Sequence, residues 1–520
     1  MATAPHHLAS QSGAAVLREG GNAIEAMLAM AATIAVVYPQ ANALGGDGFW
    51  LIAPPTDAPF GIDGAGRAAP GIDHYRALGL EEAPFRGPQA ANTVAGAVAA
   101  WAAAYDAARA QGGNMSWERL LADAIFYALN GMPVSETQRR ETAGHLDELA
   151  DVPGFKDVFL DDAGAPPATG SLLKQPALAE TLAAIASSGP DDFYRGTLAD
   201  RIAADLEQVG SPVTKDDLAR QRAYQVDPLS LDLSVGTVFN MPPPTQGLAS
   251  LLILGLFDRL DRHAMTPGSF EYVHALVEAT KAAFKVRDRE IGEPDCMTTT
   301  PAAFLDADWL DRSAAIIDPD KAQTWSRTGT PGDTVWMGAI DSDGLAVSYI
   351  QSIYWEFGSG VVLPETGILW QNRGASFSLD PASVRALAPG RRPFHTLNPP
   401  LARLNDGSTL VYGCMGGDGQ PQFQSAVFTR AAMFGAPLQE AVNAPRWLLG
   451  RSWGEDSTSL KLEGRFPAEV IDRLAAVGHE VQVVDDITDQ MGHAGAIRRT
   501  PDGMLSGAAD PRSDGAAVGY

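Results

Sequence analysis

The hydrophobic pattern of this 520-residue chain changes about two thirds of the way along it. Before that point, Ala-rich segments repeat their apolar residues at helical spacing, at 12–20, 23–38, 94–111, 117–129 and 270–289. After a polar stretch at 322–333, short apolar runs alternate with turn residues, which is typical of strands. The chain is therefore predicted to mix α and β structure, with 322–333 as a linker or processing loop.

The clearest strand signal follows this polar stretch. Residues 335–340 and 345–350 are apolar, and the sequence Asp-Ser-Asp-Gly at 341–344 between them predicts a β-hairpin. Further strands are predicted at 409–412, 461–463 and 480–484. We therefore expect at least one largely antiparallel sheet.

Charge and hydropathy exclude several partners. The 63 acidic and 38 basic residues give a formal net charge of -25, which repels phosphate and argues against a nucleic-acid partner. The longest apolar stretch, at 26–38, is too short to cross a bilayer, so no membrane partner is expected. No secretory signal is visible at the N-terminus, and the two cysteines form no disulfide framework, so we expect a cytoplasmic protein.

No metal site is predicted. The nine histidines show no ligand pair at helical spacing with the nearby carboxylate that a zinc enzyme needs. His274 lies four residues before Glu278, and we expect it to face solvent or to form a salt bridge on its helix. Cys296 and Cys414 lack the spacing of zinc ligands.

Thr334 opens the first strand of the hairpin, directly after Asp333. By itself this is an ordinary start of a strand. The turns at 341–344, 357–360, 367–369 and 416–417 follow it in the order and spacing of gamma-glutamyltranspeptidases, which the chain resembles. Residues 8–10, 20–23, 45–49, 193–196, 241–245 and 507–520 extend the resemblance over nearly the whole chain.

This resemblance implies an α+β fold, the four-layer αββα sandwich of the N-terminal nucleophile hydrolases. It also implies cleavage between Asp333 and Thr334. Residues 1–333 would become a large subunit and residues 334–520 a small catalytic subunit, both within one fold. Whether such pairs form dimers stays open.

Cleavage before Thr334 would place a nucleophile and a base in one residue. A threonine hydroxyl needs a neighbouring base to accept its proton. The new α-amino group has an ordinary pKa of about 7.7–8.0, so it can accept that proton and return it to the leaving amine. The expected reaction is attack on an amide, formation of an acyl ester on Thr334 and release of amine or ammonia, with no cofactor.

The resemblance also implies an oxyanion hole and a partner for the nucleophile, and the residues themselves predict one more turn. The oxyanion hole of the family falls on Gly416 and Gly417, where glycine lets the backbone approach a substrate oxygen, although a simple turn after a strand fits equally well. Ser352 falls where the family has a threonine that hydrogen-bonds the nucleophile, and a local hydrogen bond within the strand is the alternative. The Gly-rich run at 45–48 lacks the lysine of a P-loop and is predicted to be a close-packed turn.

The residues that hold the glutamyl group in the family are largely replaced. Tyr354 stands where an asparagine is expected, and His395 and Thr396 replace two serines. Arg373 and Ser376 stand where a glutamine and an aspartate are expected. That aspartate is the acceptor for the substrate α-amine, and burying an ammonium without a counter-charge is costly, so a free γ-glutamyl amine is not an obvious substrate.

The remaining donors suit a carboxylate that has no neighbouring amine. They are Arg67, one position away from the arginine of the family, together with Arg373, Arg392, His395 and Thr396. Arginine holds a carboxylate through two parallel hydrogen bonds. Tyr354 and Trp355 are expected to narrow the acyl pocket, unless both belong to the core.

These replacements resemble the oxamate amidohydrolase branch of the family. The first hypothesis is therefore hydrolysis of oxamate or a similar small amide that carries one carboxylate. The alternatives are a γ-glutamyl hydrolase or transferase acting on glutathione, and an acylase for glutaryl or cephalosporin side chains. From a different class, an uncleaved scaffold without activity would keep the same fold.

Overall fold

A computed structural model describes residues 1–325, 333–450 and 457–520 of the chain. Most of the predicted linker at 322–333 therefore lies outside the described residues.

Helices dominate the first half of the chain, as predicted, and further helices lie in the second half. They are α1 (His7–Arg18), α2 (Ala23–Val37), α3 (Ile72–Ala77), α4 (Ala97–Ala110), α5 (Trp117–Asn130), α6 (Glu136–Gly144), α7 (Leu146–Leu149), α8 (Phe155–Phe159), α9 (Pro176–Ser188), α10 (Asp192–Arg195), α11 (Thr197–Val209), α12 (Lys215–Arg220), α13 (Gly247–Asp258), α14 (Phe270–Glu290), α15 (Pro301–Phe304), α16 (Ala307–Ala314), α17 (Gln420–Phe428), α18 (Leu438–Asn443) and α19 (Ala468–Ala476).

Local capping explains where the first two helices begin. Asn22 accepts hydrogen bonds from Ile24 N and Glu25 N, and the Glu25 carboxylate accepts from Asn22 N, so α2 starts at the predicted residue. Helix α1 begins five residues before its predicted start at 12, because the His6 ring accepts from Leu8 N and caps the helix there. Histidine is not a usual helix cap, so this start could not be predicted from residue type.

The strands form two large sheets and two small ones. They are β1 (Ala2–Ala4), β2 (Asp47–Ala53), β3 (Phe60–Gly64), β4 (Met132–Pro133), β5 (Leu172–Leu173), β6 (Tyr224–Val226), β7 (Leu229–Leu233), β8 (Gly236–Asn240), β9 (Asp333–Ile340), β10 (Ala346–Tyr354), β11 (Leu401–Leu404), β12 (Thr409–Cys414), β13 (Trp447–Leu449), β14 (Leu460–Glu463), β15 (Val481–Val484), β16 (Ala494–Arg499), β17 (Leu505–Ala509) and β18 (Ala516–Val518). The hairpin predicted around 341–344 is confirmed as β9 and β10.

Both large sheets are antiparallel. The first has the order β18-β1-β9-β10-β2-β3-β6 and the second β17-β16-β12-β11-β8-β7. A small sheet, β13-β14-β15, includes a parallel pair, and β4 pairs with β5. The sequence prediction of an antiparallel sheet is therefore confirmed.

The two large sheets are stacked between two layers of helices. Side chains alternate along β2: Trp50 and Ile52 pack with α2 and α4, whereas Phe49 and Leu51 face the second sheet. The far side of the second sheet is covered by α13 and α17, onto which α14 packs. This arrangement is the predicted αββα sandwich.

Trp336 holds the two sheets together beside the start of β9. A Cβ at Gly413 would lie 2.2 Å from its ring, and one at Gly495 would lie 2.6 Å from it. Its Nε1 donates to Ser348 Oγ at 2.9 Å. The ring therefore fills a space that only glycines leave open, and it fixes the strand that carries Thr334.

Helix α14 is more buried than the expectation for His274 implied. Residues on all its faces are buried, between α13, α17 and α19. Three of its charged side chains, Glu278, Lys281 and Arg287, are buried in polar networks, which the 3.6-residue pattern alone could not show. Among the described residues, no helix has the length and apolar character to cross a bilayer.

Candidate active site

Polar side chains lie together where three neighbouring strands of the first sheet end. Thr334 is the second residue of β9, Ser352 lies near the end of β10, and Asp47 begins β2. Ser352 and Asp47 are direct cross-strand partners. All three side chains are buried. The inter-sheet core therefore ends in a dry, polar site.

The Thr334 hydroxyl lies in a short chain of hydrogen bonds. It donates to Ser352 Oγ at 3.2 Å and accepts from Gln420 Nε2 at 3.4 Å. Ser352 Oγ in turn accepts from Tyr354 N at 2.8 Å. The structure thus places Ser352 against Thr334, as the resemblance implied, and adds Gln420, which the sequence analysis missed.

A β-bulge shapes this end of β10. The register with β9 shifts between Gln351 and Tyr354. Tyr354 has a φ of 86°, a left-handed conformation that is strained for a bulky residue. The bulge turns the Tyr354 ring beneath Arg373, whose guanidinium carbon lies 3.8 Å from the ring centroid. The strained residue thus places its ring against the Arg373 guanidinium.

Gly416 and Gly417 form the turn that joins β12 to α17. Their φ angles are 118° and 51°, and a Cβ at Gly416 would lie 2.7 Å from the Phe423 ring. The turn leads through a short 3-10 segment into Gln420, which bonds Thr334. The two glycines therefore lie just before the residue that hydrogen-bonds Thr334. Their positive φ angles and the close Phe423 ring require glycine.

A second set of amides ties this turn to the other half of the site. Gln246 Nε2 donates to Thr396 O at 2.7 Å and to Gly417 O at 2.9 Å. Asn398 Nδ2 donates to Thr396 O at 2.9 Å and to Gln420 Oε1 at 3.1 Å. Gln246 and Asn398 were not identified from the sequence, because a lone glutamine or asparagine in a loop carries no pattern.

Arg373 is the cation that this network surrounds. It is 1% exposed, and its Nη2 donates to Thr396 Oγ1 at 3.3 Å. Its Nη1 has no hydrogen-bond partner within the described chain. Burial lowers the pKa of Arg373 to about 10, partly opposed by Tyr354, Asp47 and Asp418, so it remains a cation near neutral pH.

His395 is fully buried, and its Nε2 lies 3.2 Å from Asp47 Oδ2, outside hydrogen-bond geometry. Its pKa lies well below the ordinary value, first because of burial and then because of Arg373. His395 is therefore neutral, and it lies edge-on to the Phe49 ring at 4.8 Å between centroids. It offers a polar nitrogen to the site without a charge.

Asp47 is the acidic residue that sequence analysis missed, since the run at 45–48 was predicted only as a close-packed turn. The tight packing is present: a Cβ at Gly46 would lie 2.3 Å from Ser352 O. Asp47 itself begins β2, and its Oδ1 accepts from Gly66 N, Gly96 N and Gln371 Nε2 at 2.9–3.0 Å. An aspartate between glycines at the start of an apolar strand was the available signal.

Two of the predicted cations are engaged elsewhere. Arg392 donates to Asp63 Oδ2 at 2.5 Å and to the Glu293 carboxylate, so its charge is already balanced. Arg67 is half-buried, donates to Gly390 O at 2.7 Å and lies over the Tyr224 ring. The structure brings neither guanidinium to Thr334 through any described contact. Sequence order could not distinguish these arginines from Arg373.

The prediction for His274 was wrong. His274 is buried, and its Nδ1 lies 2.9 Å from Nε2 of His479. Glu278 belongs to the same cluster and accepts from Lys281 Nζ at 2.7 Å. Because the cluster contains an ammonium and is hydrogen-bonded internally, we describe it as a polar network within the second core.

Comparisons with known proteins agree with this geometry. The sequence profile described as gamma-glutamyltranspeptidase matches residues 9–520. The chain is 55% identical over 521 residues to the oxamate amidohydrolase proenzyme of Klebsiella pneumoniae, covering 100% of this chain and 98% of that protein. It is 41% identical over 520 residues to the glutathione hydrolase-like YwrD proenzyme of Bacillus subtilis, covering 100% and 98%.

Among solved structures, the cephalosporin acylase from Bacillus halodurans is similar to this chain with a TM-score of 0.90 and 35% sequence identity. The match covers 99% of this chain and 94% of that one. Sequence and fold thus agree over the full length, and the chain belongs to the gamma-glutamyltranspeptidase family.

Proposed function

We propose that this protein cuts itself between Asp333 and Thr334 and then hydrolyses a small amide that carries one carboxylate, with oxamate as the first candidate. The observation that carries the proposal is the hydrogen-bonded path that leads from Thr334 through Gln420, Asn398 and Thr396 to one buried cation, Arg373. The name of the Klebsiella relative, an oxamate amidohydrolase proenzyme, supports both the processing and the substrate.

The roles of the residues follow from their contacts. After cleavage, the Thr334 amine would accept the proton of the Thr334 hydroxyl, and Ser352 and Gln420 would hold that hydroxyl in place. The backbone N–H groups at Gly416 and Gly417 would stabilise the developing oxyanion. The acyl ester on Thr334 would then be hydrolysed by water.

Arg373 would bind the substrate carboxylate. Its Nη1 is buried without a hydrogen-bond partner in the described chain, and a carboxylate oxygen would satisfy it. Thr396, which already accepts from Nη2, and the Tyr354 ring beneath the guanidinium would fix its orientation. Because Tyr354 occupies this floor, the pocket favours a short acyl group.

Glutathione is the second candidate substrate, favoured by the name of the Bacillus relative at 41% identity. A γ-glutamyl substrate would bring an ammonium as well as a carboxylate. The nearby acid, Asp47, has Oδ1 occupied by three N–H donors and already faces the Arg373 cation, which would repel an ammonium. The contacts therefore favour the substrate without an amine.

The test is an ammonia-release assay on purified protein whose cleavage has been checked by N-terminal sequencing. We expect a new N-terminus that reads Thr-Val-Trp-Met and faster release from oxamate than from glutamine. Glutamate release from glutathione is followed in parallel. Faster turnover of glutathione or glutamine would reverse the order of the candidates, and an uncut chain with full activity would exclude the mechanism.

We also propose that the protein works in a reducing compartment such as the cytoplasm. Cys296 and Cys414 form no disulfide in the structure, which supports this location. A fluorescent fusion at the C-terminus, imaged together with a cytoplasmic marker, tests it.

A further inference from the structure

The site contains a buried acid for which the proposed reaction has no role. Asp47 is fully buried at the start of β2 and is the direct cross-strand partner of Ser352. We infer that Asp47 is the resident counter-anion of Arg373, and that the pocket binds a substrate carboxylate together with one proton, which Asp47 accepts. This inference rests on the proposed role of Arg373 in binding a carboxylate.

The two oxygens of Asp47 have different surroundings. Oδ1 is held by three N–H donors, from Gly66, Gly96 and Gln371. Oδ2 has no hydrogen bond within the described chain and lies 3.2 Å from His395 Nε2. A proton on Oδ2 would therefore leave the Oδ1 bonds intact and would face a neutral imidazole nitrogen that can accept it.

Four titratable groups act on Asp47 from the surrounding elements. His395 lies in the loop before β11 and is neutral, since burial keeps its pKa low. Tyr194 on α10 and Tyr349 on β10 are buried phenols whose pKa values are raised, so both are neutral as well. The remaining group, Arg373, carries a full charge. Arg373 Nη2 donates to Thr396, and the adjacent His395 lies 3.2 Å from Asp47 Oδ2, so the Asp47 carboxylate and the Arg373 cation, which is also influenced by Asp418, belong to one site.

The protonation of Asp47 changes near neutral pH. Burial raises the pKa of Asp47 to about 7, against the opposing effects of the Gln371 hydrogen bond, the Arg373 charge and the N–H groups of Gly66 and Gly96. A substrate carboxylate at Arg373 adds a second negative charge to the same dry space. Two like charges there raise the pKa of Asp47 further, so the carboxylate displaces the ionised form of Asp47.

This coupling has a defined cost above neutral pH. Once Asp47 is ionised in the free enzyme, binding requires uptake of one proton, so affinity should fall about tenfold per pH unit. Below neutral pH, Asp47 is already protonated and affinity should level off. The pocket would then select a monocarboxylate, because a second anionic group would find no further cation among the described residues that contact Asp47 or Arg373.

The experiment uses pyruvate, which has the size and charge of oxamate but no leaving group. Binding to the mature enzyme is measured by calorimetry at pH 7.5 in two buffers with different ionisation enthalpies. We expect uptake of about three quarters of a proton per site, since a group with a pKa of about 7 is mostly ionised half a unit higher. The dissociation constant of the wild type is also followed from pH 6 to 9.

The variants are Asp47→Asn and, as a matched control, Asp341→Asn. Asparagine at 47 keeps the Oδ1 acceptor, so we expect pyruvate binding without proton uptake and with little pH dependence. Asp341 is likewise a buried carboxylate with a raised pKa, but it lies at the opposite end of the β9–β10 hairpin. Its variant should take up protons like the wild type.

Each outcome decides the inference. Binding without proton uptake in the wild type, equal uptake in Asp47→Asn, or no binding of pyruvate would overturn it. If Asp47→Asn fails to mature, the pH dependence of the wild-type dissociation constant decides alone, and a constant affinity from pH 6 to 9 rejects the coupling. Proton-linked pyruvate binding without ammonia release from oxamate would leave this inference standing and reject the proposed reaction.

Discussion

Arg373 and Arg392 show how burial separates residues that look alike in the sequence. Both are arginines within residues 334–520, and both were predicted to bind a carboxylate. Arg392 already has Asp63 and Glu293 as partners. Within the described chain, Arg373 contacts the Thr396 hydroxyl and the Tyr354 ring, and its Nη1 has no hydrogen-bond partner. A single sequence shows the residue type and its order, but the partners that engage Arg392 come from segments 99 and 329 residues away.

The motif around Thr334 was more predictable. Its position at the start of an apolar strand, the 341–344 turn and the glycine pair at 416–417 all follow from local chemistry. The structure brings the glycine pair to the end of the hairpin that carries Thr334, with the 341–344 turn at the opposite end. Gln246, Asn398 and Gln420 could not be predicted. They act through single amide hydrogen bonds across the fold, and such contacts leave no periodicity or spacing in the sequence.

Thr334→Ala should give an uncut and inactive chain. Alanine has no hydroxyl to attack the preceding peptide bond or a substrate. Thr334→Ser retains the hydroxyl and should still cut, although more slowly because serine is less restricted at χ1. Denaturing electrophoresis and ammonia release measure both effects. Activity in Thr334→Ala would show that the nucleophile is another residue.

Arg373→Gln should raise KM for a carboxylate amide by about tenfold to a hundredfold, with a smaller change in kcat. Hydrogen bonds to a charged partner contribute about 1.5–3 kcal/mol, and a loss of this size acts on binding of the unreacting carboxylate. Arg67→Gln is the matched control, since its guanidinium contacts Gly390 O and Tyr224. Equal KM changes in both variants would count against Arg373.

At the scale of elements, the β9–β10 hairpin is the part of the site that the sheets hold most firmly. Its strands lie in the middle of the first sheet, and Trp336 reaches into the second. The alternation of side chains predicted the hairpin, but it could not reveal the glycines at 338, 413 and 495 that surround the Trp336 ring. Two of them lie in strands of the second sheet, and packing between sheets is not a local property of the sequence.

Gly413→Ala should destabilise the fold by about 1–3 kcal/mol, because the new methyl group would overlap the Trp336 ring in a tightly packed core. The free energy of unfolding in urea measures this. Gly144→Ala, at the end of α6, is the control: a Cβ there meets nothing within 4 Å, so stability should be unchanged or slightly higher. A neutral Gly413→Ala would mean that the sheets can separate to admit the methyl group.

At the scale of the whole molecule, the αββα layering followed from the family resemblance, whereas the helix and strand patterns alone gave only a mixed class. The reason is that layers are set by which sheet face each helix covers. In α14 that assignment was missed, because its His274, Glu278 and Lys281 are polar but buried. They satisfy one another and His479, a residue 205 positions away from His274.

This buried network should make the protein sensitive to acid. Burial, then Lys281 and His274, lower the pKa of His479 from 6.5 to about 3. The unfolded state therefore binds a proton that the folded state rejects, so stability is full above about pH 6.5 and falls as the pH drops toward 3, by up to about 1.4 kcal/mol per unit. Thermal unfolding from pH 7 to 4 should show a smaller loss for His479→Gln than for the wild type.

The control for this pH series is His7→Gln, whose side chain is exposed. Its loss of stability with falling pH should match that of the wild type. If His479→Gln and the wild type decline in parallel, the acid sensitivity arises from other groups.

The strand order of the first sheet has a consequence for inheritance and assembly. Strands β9 and β10 belong to residues 334–520, yet they lie between β1 and β2 from residues 1–333. The products of the proposed cut would share one continuous sheet, in which strands of the two products alternate. Neither product could dissociate without unfolding of the other. Mature molecules would thus not exchange subunits. A gene copy whose product cannot cleave itself could not be rescued by a second copy that supplies only the small subunit.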